Sequence, residues 1–404
     1  MDTTFTYPFP MPTNYQAPGI PSTQPQPTTP PSKVEALIKK NKERIVPKLF
    51  QPITLGNVTL KNRIVVSPMC QYSSVDGFMN DWHLVHHGTF AKGGAALILF
   101  EASAVCPQGR ISVHDSGIWK DEHIAPLKRI VDFVHNFKAV AGIQIAHAGR
   151  KASTVPPFLD NGRALMKEDK GGWSNVEGAS PIAFNSEMLV PHELTCDEIK
   201  RVIEQFKQAA IRVDKAGFGA VEIHGAHGYL IDSFLSPTSN KRTDDYGGSF
   251  EGRTRLLMEI VGAVRGVWPC DKLLMVRVSC EEWVDDGWHI DDTVRLAKML
   301  KEAGIDVLDC SSGGNSSTQH IKVAPLYQVP FAERVKREVA GLGVSAVGLI
   351  NTPEEAISVL EQDRADLIML ARPLLRDPFW PLHAATSLGL DVDCCLQYTM
   401  GKYT

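Results

Sequence analysis

The sequence predicts an α/β protein of the (β/α)8 TIM-barrel class, with a long insertion after the third strand and a disordered proline-rich N-terminal arm. From residue 63 onward, short apolar runs rich in β-branched residues alternate with amphipathic stretches of helical length. Such alternation is typical of parallel sheets built from repeated βα units. Eight units in roughly 320 residues fit a closed barrel, with a doubly wound open sheet as the alternative.

The N-terminal region differs in composition from the rest. Residues 1–32 hold nine prolines and no arginine, and we expect a disordered arm there. A short helical linker is predicted over residues 33–47, and the barrel domain over residues 48–404. Within that domain, residues 49–60 are expected to form a hairpin that closes the end of the barrel opposite the catalytic face.

The eight predicted strands each precede a helical pattern. The clearest helix follows Thr195, which with Glu198 forms a capping box. The insertion, residues 149–194, is rich in Gly, Pro, Asn and Ser, and on a barrel it would lie over the active-site face. The predicted strands are residues 63–68, 95–102, 140–147, 220–225, 273–279, 307–312, 345–350 and 366–372.

Composition excludes several function classes. The formal net charge of the 404 residues is −4, with acids and bases interspersed, which disfavours nucleic acid or a membrane surface as partner. No CxxC pair occurs among the eight cysteines, which disfavours structural zinc and iron–sulfur clusters. No secretory signal is recognisable, so we expect a cytoplasmic protein. The GLGVSA run formally matches a dinucleotide-binding motif. It precedes a strand and does not join a strand to a helix, so we do not expect it to bind a dinucleotide.

Polar or glycine residues stand at the carboxyl end of every predicted strand, the face where barrel enzymes build their sites. His224 and His227 lie three residues apart, and Tyr229 follows. Two ring N–H donors beside a phenol can polarise a carbonyl oxygen and deliver a proton. The alternatives are histidines satisfied by backbone carbonyls or a metal pair, although a metal would need a third ligand. Arg277, inside a predicted strand, needs an anion or a carboxylate partner.

Over residues 48–398 the chain resembles the old yellow enzymes, FMN-dependent ene-reductases, and in particular their thermophilic-like branch. This resemblance implies a (β/α)8 barrel that binds FMN at its carboxyl-end face. It also implies NADPH or NADH as co-substrate. The strings that carry it are LFQPITLGNVTLKNRIVVSPMCQYSS, EASAVCPQGRIS, GIQIAHAGRK, EIHGAHGYLIDSFLSPTSNKRTDDYGGS, VRVS and ADLIMLARPLLRDPFW.

The resemblance also implies roles for individual residues. His224 and His227 would bind the carbonyl oxygen of an α,β-unsaturated substrate, Tyr229 would donate the proton, and no metal is implied. Cys70 matches a thiol that modulates the flavin, Tyr72 a substrate-contacting phenol, and Lys151 a residue near the cofactor. The positions that match FMN contacts are Pro68, Met69, Cys70, Ala102, Gln144, Arg277, Gly313, Gly314, Gly348 and Arg372.

The implied activity is reduction of activated C=C bonds of small α,β-unsaturated carbonyl compounds by a ping-pong hydride transfer. The alternative is a flavin-dependent isomerase or dehydrogenase acting on a specialised pathway intermediate. A flavin-binding scaffold that recruits partners through its arm is a further, non-enzymatic alternative. Members of the branch carry a C-terminal arginine that completes a neighbouring subunit's site, but Met400 occupies that position here. The sequence therefore leaves open whether the protein forms a homo-oligomer.

Overall fold

The computed structural model describes residues 17–21, 45–159 and 168–402, and its centre is a closed barrel of eight parallel strands. The barrel closes because the last strand pairs with the first, through Ile368 with Ile64 and Leu370 with Val66. This closure confirms the predicted barrel and excludes the open sheet. In order around the barrel, the strands are β3 (Ile64–Val66), β4 (Leu97–Ala104), β5 (Val140–Ala146), β8 (Ala220–Gly225), β9 (Leu273–Ser279), β10 (Val307–Ser311), β11 (Gly343–Ala346) and β12 (Leu367–Leu370).

The helices surround this sheet. As predicted, one helix begins after Thr195, whose hydroxyl accepts the backbone N–H of Glu198 at 3.3 Å while the Glu198 carboxylate accepts that of Thr195 at 2.8 Å. In chain order the α-helices are α1 (Asp81–Lys92), α2 (Ile124–His135), α3 (Cys196–Lys215), α4 (Leu230–Leu235), α5 (Phe250–Arg265), α6 (Ile290–Glu302), α7 (Val329–Glu338), α8 (Pro353–Glu361), α9 (Arg372–Arg376) and α10 (Trp380–Ser387). Short 3-10 helices span Lys48–Phe50, Pro107–Gly109, Asp121–His123, Gly149–Lys151, Glu168–Lys170 and Leu396–Gly401.

A hairpin closes the amino end of the barrel, as predicted. Strands β1 (Ile53–Leu55) and β2 (Val58–Leu60) are antiparallel. Leu55 and Leu60 pack in one buried cluster with the first residues of several barrel strands, such as Leu97 and Val307. This apolar cluster covers the amino ends of the strands, so the carboxyl ends form the open face of the barrel.

The predicted insertion holds little regular structure. Its two short strands, β6 (Glu177–Gly178) and β7 (His192–Glu193), pair in parallel. Residues 160–167 of the insertion lie outside the described residues.

Residues 17–21 of the proline-rich arm contact the folded domain, and the disorder of the arm stays a prediction. The backbone N–H of Gly19 donates to the carbonyl of Asp393 at 2.9 Å, and the Asn62 amide donates to the Gly19 carbonyl at 3.2 Å. Gly19 has φ +83° and approaches Gly94 so closely that a Cβ would lie 2.3 Å from the Gly94 carbonyl oxygen. Composition does not reveal such contacts with the distant end of the chain. The rest of the arm and residues 33–44 of the predicted helical linker lie outside the described residues.

Candidate active site

Strand β8 carries His224 near its end, and the loop that follows carries His227 and is fixed from three sides. His227 has φ +63°, a left-handed conformation that costs a non-glycine residue energy. Its backbone N–H donates to the Ser279 hydroxyl at 2.9 Å, and its carbonyl accepts from the Lys151 ammonium at 2.8 Å. Lys151 also donates to the Gly314 carbonyl at 3.0 Å, so three elements hold the strained residue in place.

Three rings meet at this loop. The His224 ring lies edge-on to those of His227 and Tyr229, with centroid distances of 5.3 and 5.0 Å. His227 Nε2 is hydrogen-bonded to the Ser311 hydroxyl at 2.7 Å. His224 is buried, and its Nδ1 has no hydrogen-bond partner among the described residues. The structure therefore brings the predicted donor set together and leaves a buried ring nitrogen for a ligand.

Burial and nearby cations keep these groups uncharged. Burial and the charges of Arg277 and Lys151 lower the pKa of His227 to about 3. The same causes, together with His227, lower the pKa of His224 well below its ordinary value. Burial, followed by the acidic groups of Cys70 and Asp115, raises the pKa of Tyr229 far above its ordinary value. At neutral pH the site holds two neutral imidazoles and a protonated phenol.

Arg277 pairs with a carboxylate, yet one end of its guanidinium remains available. Its Nε donates to Asp309, and one Nη atom donates to the Ser67 hydroxyl at 2.9 Å. The carboxylate pairing that the sequence left as an alternative is thus present. The other Nη atom makes no hydrogen bond within the described ranges, and the side chain keeps 6% of its surface exposed. An Arg held on one edge can clamp an anionic or carbonyl oxygen with the other.

Gln144, on strand β5, uses one of its amide hydrogens inside the protein. Its Nε2 donates to Oε1 of Glu222 at 2.8 Å, across a register that places the two residues opposite each other on β5 and β8. The side-chain oxygen of Gln144, Oε1, accepts no hydrogen bond from the residues that the structure describes. The amide is therefore fixed in orientation and still has an acceptor and a second donor to offer.

The loop after strand β3 brings the predicted Cys70 and Tyr72 toward the same rim. Both residues are partly buried, and Tyr72 has φ +50°. Burial is the largest cause that raises the pKa of each group. Cys70 adds to the raised pKa of Tyr72, whereas the hydrogen bond with Tyr72 opposes the rise at Cys70. Cys70 is therefore a thiol at neutral pH rather than a thiolate nucleophile. Pro68 and Met69 precede it on this loop, and Ala102 is 5% exposed where the β4–β5 register shifts between Phe100 and Ser103.

A cavity of about 180 Å³ opens at the ends of strands β10, β11 and β12. Gly348 and Arg372, both predicted as phosphate contacts, line it. The Arg372 side chain is exposed and has no hydrogen bond within the described part of the chain. A Cβ on Gly348, whose φ is +111°, would lie 2.5 Å from the Gln328 amide nitrogen, so only glycine keeps this wall open. Lining residues that the sequence analysis missed include Ser311, Ser312, Tyr327 and Gln328.

Gly313 and Gly314 pack beside the loop of His227, which itself lines this cavity. The Gly313 carbonyl accepts from the Ser279 hydroxyl at 2.7 Å, and Ser279 in turn holds His227. A Cβ on Gly314 would lie 2.6 Å from the His227 Cα. These glycines allow close packing behind the histidine and do not line the cavity of Gly348 and Arg372.

The insertion borders the site with aromatic and aliphatic side chains. Tyr229 packs on a small buried cluster of Ala148, Ala152 and Val176, as do Trp173 and Leu189 of the insertion. Phe158 lies edge-on to Tyr72, with ring centroids 6.1 Å apart. These contacts place side chains of the insertion beside Tyr229 and Tyr72.

Neither a metal site nor a spanning helix emerges from the described residues. No group of three or more His, Cys, Asp or Glu side chains within residues 17–21, 45–159 and 168–402 could hold a metal ion. Over the same ranges, no helix has the length and apolar character needed to cross a membrane. Met400, at the position of the branch arginine, is 84% exposed.

Comparison with known proteins identifies the family of this chain. The sequence pattern of the NADH:flavin oxidoreductase / NADH oxidase family matches residues 48–391. An NADPH dehydrogenase of Halalkalibacterium halodurans is 46% identical over 353 residues, which cover 87% of this chain and 98% of the relative. An NADPH dehydrogenase of Geobacillus thermodenitrificans is 46% identical over 355 residues, covering 87% of this chain and 98% of that relative.

Solved structures show the same fold. Morphinone reductase in complex with tetrahydroNAD superposes with a TM-score of 0.70 at 25% identity, covering 86% of this chain and 92% of the reductase. An old yellow enzyme homologue from Zymomonas mobilis has a TM-score of 0.69 at 24% identity, covering 89% and 97%, and supports the fold alone. The chain therefore belongs to the NADH:flavin oxidoreductase / NADH oxidase family, and it is an FMN-dependent oxidoreductase of the old yellow enzyme type that uses a reduced nicotinamide.

Proposed function

We propose that this protein reduces the activated C=C bond of small α,β-unsaturated carbonyl compounds, with NADPH as the electron donor. The observation that carries the proposal is the meeting of three uncharged donors, His224, His227 and Tyr229, at one point of the barrel rim. The names of the relatives, NADPH dehydrogenases, favour NADPH over NADH as the physiological nicotinamide.

The residues present fit FMN. Arg277 and Gln144 each keep unused hydrogen-bonding capacity toward the rim, as the pyrimidine edge of a flavin requires. The cavity of Gly348 and Arg372 offers a cation without an internal partner, which suits a phosphate. Pro68, Met69, Cys70 and Ala102 would contact the ring system. When bound, FMN supplies hydride transfer between the nicotinamide and the acceptor.

His224 and His227 would bind the substrate carbonyl oxygen. A neutral imidazole has a single N–H, so the hydrogen bond at the other nitrogen decides where that N–H points. If the Ser311 hydroxyl donates to Nε2 of His227, the proton resides on Nδ1 and is available to a ligand. Donation from both rings draws electron density toward the carbonyl oxygen and makes the β-carbon electrophilic.

Tyr229 would supply the proton to the α-carbon. Its phenol stays protonated across the neutral range, and it lies beside His224 at the start of helix α4. Cys70 and Tyr72 would contact flavin and substrate as neutral groups, since burial keeps both protonated.

Anaerobic half-reactions test the proposal. The purified holoenzyme should lose its yellow colour with NADPH and regain it with cyclohexenone. Replacing both histidines with alanine should slow the second step strongly and leave the first step within about threefold. His135→Ala, at the exposed end of helix α2, is the matched control. A protein that cannot be loaded with FMN, or a double variant that still reduces cyclohexenone at the wild-type rate, would contradict the proposal.

A further inference from the structure

Glu222 is a fully buried acid that the proposed mechanism does not use, and it lies between two residues proposed to hold the flavin. Its Oε1 accepts from Nε2 of Gln144 at 2.8 Å and is 3.9 Å from Nε of Arg277. The three residues come from adjacent strands β5, β8 and β9. Glu222 therefore contacts both an amide and a cation of the site without lining the cavity itself.

The charges around Glu222 do not balance if it ionises. Arg277 already pairs with Asp309, whose second oxygen accepts from the Ser345 hydroxyl at 2.7 Å. One guanidinium would then face two buried carboxylates. The partner on strand β5, Gln144, is neutral. A second uncompensated negative charge in this interior is costly.

The hydrogen bonds of Glu222 agree with a neutral acid. Its Oε2 is buried and has no hydrogen-bond partner among the described residues. A carboxylate oxygen left in that state loses far more solvation than a carboxylic acid does. Burial raises the pKa of Glu222 most; Arg277 opposes this shift and Asp309 adds to it.

We propose that Glu222 is a positioning residue of the flavin site, which as a neutral acid fixes the Gln144 amide and leaves the Arg277 charge to Asp309 and the cofactor. The inference rests on the proposed function, because it assumes that Gln144 and Arg277 hold FMN. If Glu222 ionised at high pH, its negative charge would oppose the arrival of electrons on the bound flavin. The reduction potential of the flavin should therefore depend on the protonation of Glu222.

The reduction potential of FMN bound to wild type and to Glu222→Gln tests this role by dye equilibration between about pH 6 and about pH 9. The amide imitates a protonated acid and can still accept from Gln144. The two proteins should have the same potential near pH 6. Toward pH 9 the wild-type potential should fall below that of the variant. Curves that coincide throughout, or that differ by a constant amount, would overturn the inference.

A second variant tests the contact with Gln144 through cofactor affinity. Glu222→Leu removes the acceptor, and FMN should dissociate about tenfold more readily from it. Glu222→Gln should retain FMN within about threefold of wild type. The matched control is Glu302→Gln, at the exposed end of helix α6. Equal FMN affinity in the Leu variant and wild type would also overturn the inference. If wild type itself bound no FMN, the proposed function would fail instead.

Discussion

The Ser311 hydroxyl lies 2.7 Å from Nε2 of His227 and joins the end of strand β10 to the loop after β8. When the Ser311 hydroxyl donates in this contact, the N–H of His227 is kept on Nδ1, so Ser311→Ala should lower kcat/KM for enone reduction about tenfold. The rate of flavin reduction by NADPH should change less. Ser316→Ala, on the exposed loop that follows, is the control. An unchanged kcat/KM in stopped-flow reoxidation would show that Ser311 has no influence on His227.

Tyr229→Phe separates net alkene reduction from other flavin chemistry. Loss of the proton donor should slow enone reduction by roughly 100-fold, as general acids contribute, while NADPH still reduces the flavin. Tyr398→Phe, 42% exposed and remote in sequence, should behave as wild type. If wild type reduces enones poorly and the variant keeps its native turnover, an isomerase or dehydrogenase is the better description.

The pH dependence of enone reduction should lack a histidine titration. The pKa of His227 is lowered to about 3 and that of His224 is lowered as well, so both rings are neutral above about pH 5. The Tyr229 pKa is raised, so the phenol keeps its proton through about pH 9. The rate constant for reoxidation by cyclohexenone should be flat between about pH 5 and about pH 7, below the range in which Glu222 is expected to ionise. A break near the ordinary histidine pKa would contradict the neutral donor set.

The lowered pKa values of His224 and His227 have a matching consequence for stability. A histidine whose pKa is lowered by folding stabilises the fold above its unfolded pKa and loses that contribution as pH falls toward the folded value. The free energy of unfolding should therefore decrease below about pH 6.5, in part through His224 and His227. Urea titrations of wild type and His224→Asn should show a weaker pH dependence in the variant. Equal slopes for the two proteins would argue against a neutral buried His224.

Gly348→Ala should weaken FMN binding. The added Cβ would lie 2.5 Å from the Gln328 amide, and φ +111° disfavours any side chain, so the wall of the cavity must move. We expect FMN affinity to fall by about tenfold or more, measured by fluorescence titration. Gly401→Ala, whose Cβ would meet nothing within 4 Å, is the control. Unchanged affinity would place the phosphate outside this cavity.

Gly19→Ala tests the contact of residues 17–21 with the folded domain. Its Cβ would lie 2.3 Å from the Gly94 carbonyl oxygen, so residues 17–21 should detach, at a cost of roughly 1 to 2 kcal/mol. The amide of Gly19, which donates to Asp393, should then exchange faster with deuterium. Protection equal to that of wild type would mean that the segment tolerates the displacement.

The individual strand ends show how far the sequence could be interpreted. Strands β8 and β9 begin and end where the apolar runs do, because strands covered on both faces consist almost wholly of buried residues. His224 was recognisable because it stands near the end of an apolar strand, and His227 and Tyr229 because they follow that strand directly. Glu222, Asp309 and Ser311 were missed, although the two acids interrupt apolar strands, a signal that was applied only to Arg277. A charged residue in a buried strand needs partners, and here Arg277 lies beside both Glu222 and Asp309.

The sequence by itself determined the barrel, the donor residues and the flavin family, because local periodicity and contiguous motifs encode them. Only the tertiary structure decided what depends on contacts between distant residues. It packed Gly314 against the backbone of His227, and it joined Glu222 to Gln144 and Arg277. It also placed residues 17–21 against the far end of the chain. Such pairings follow from closure of the barrel, which brings together residues that no local pattern connects.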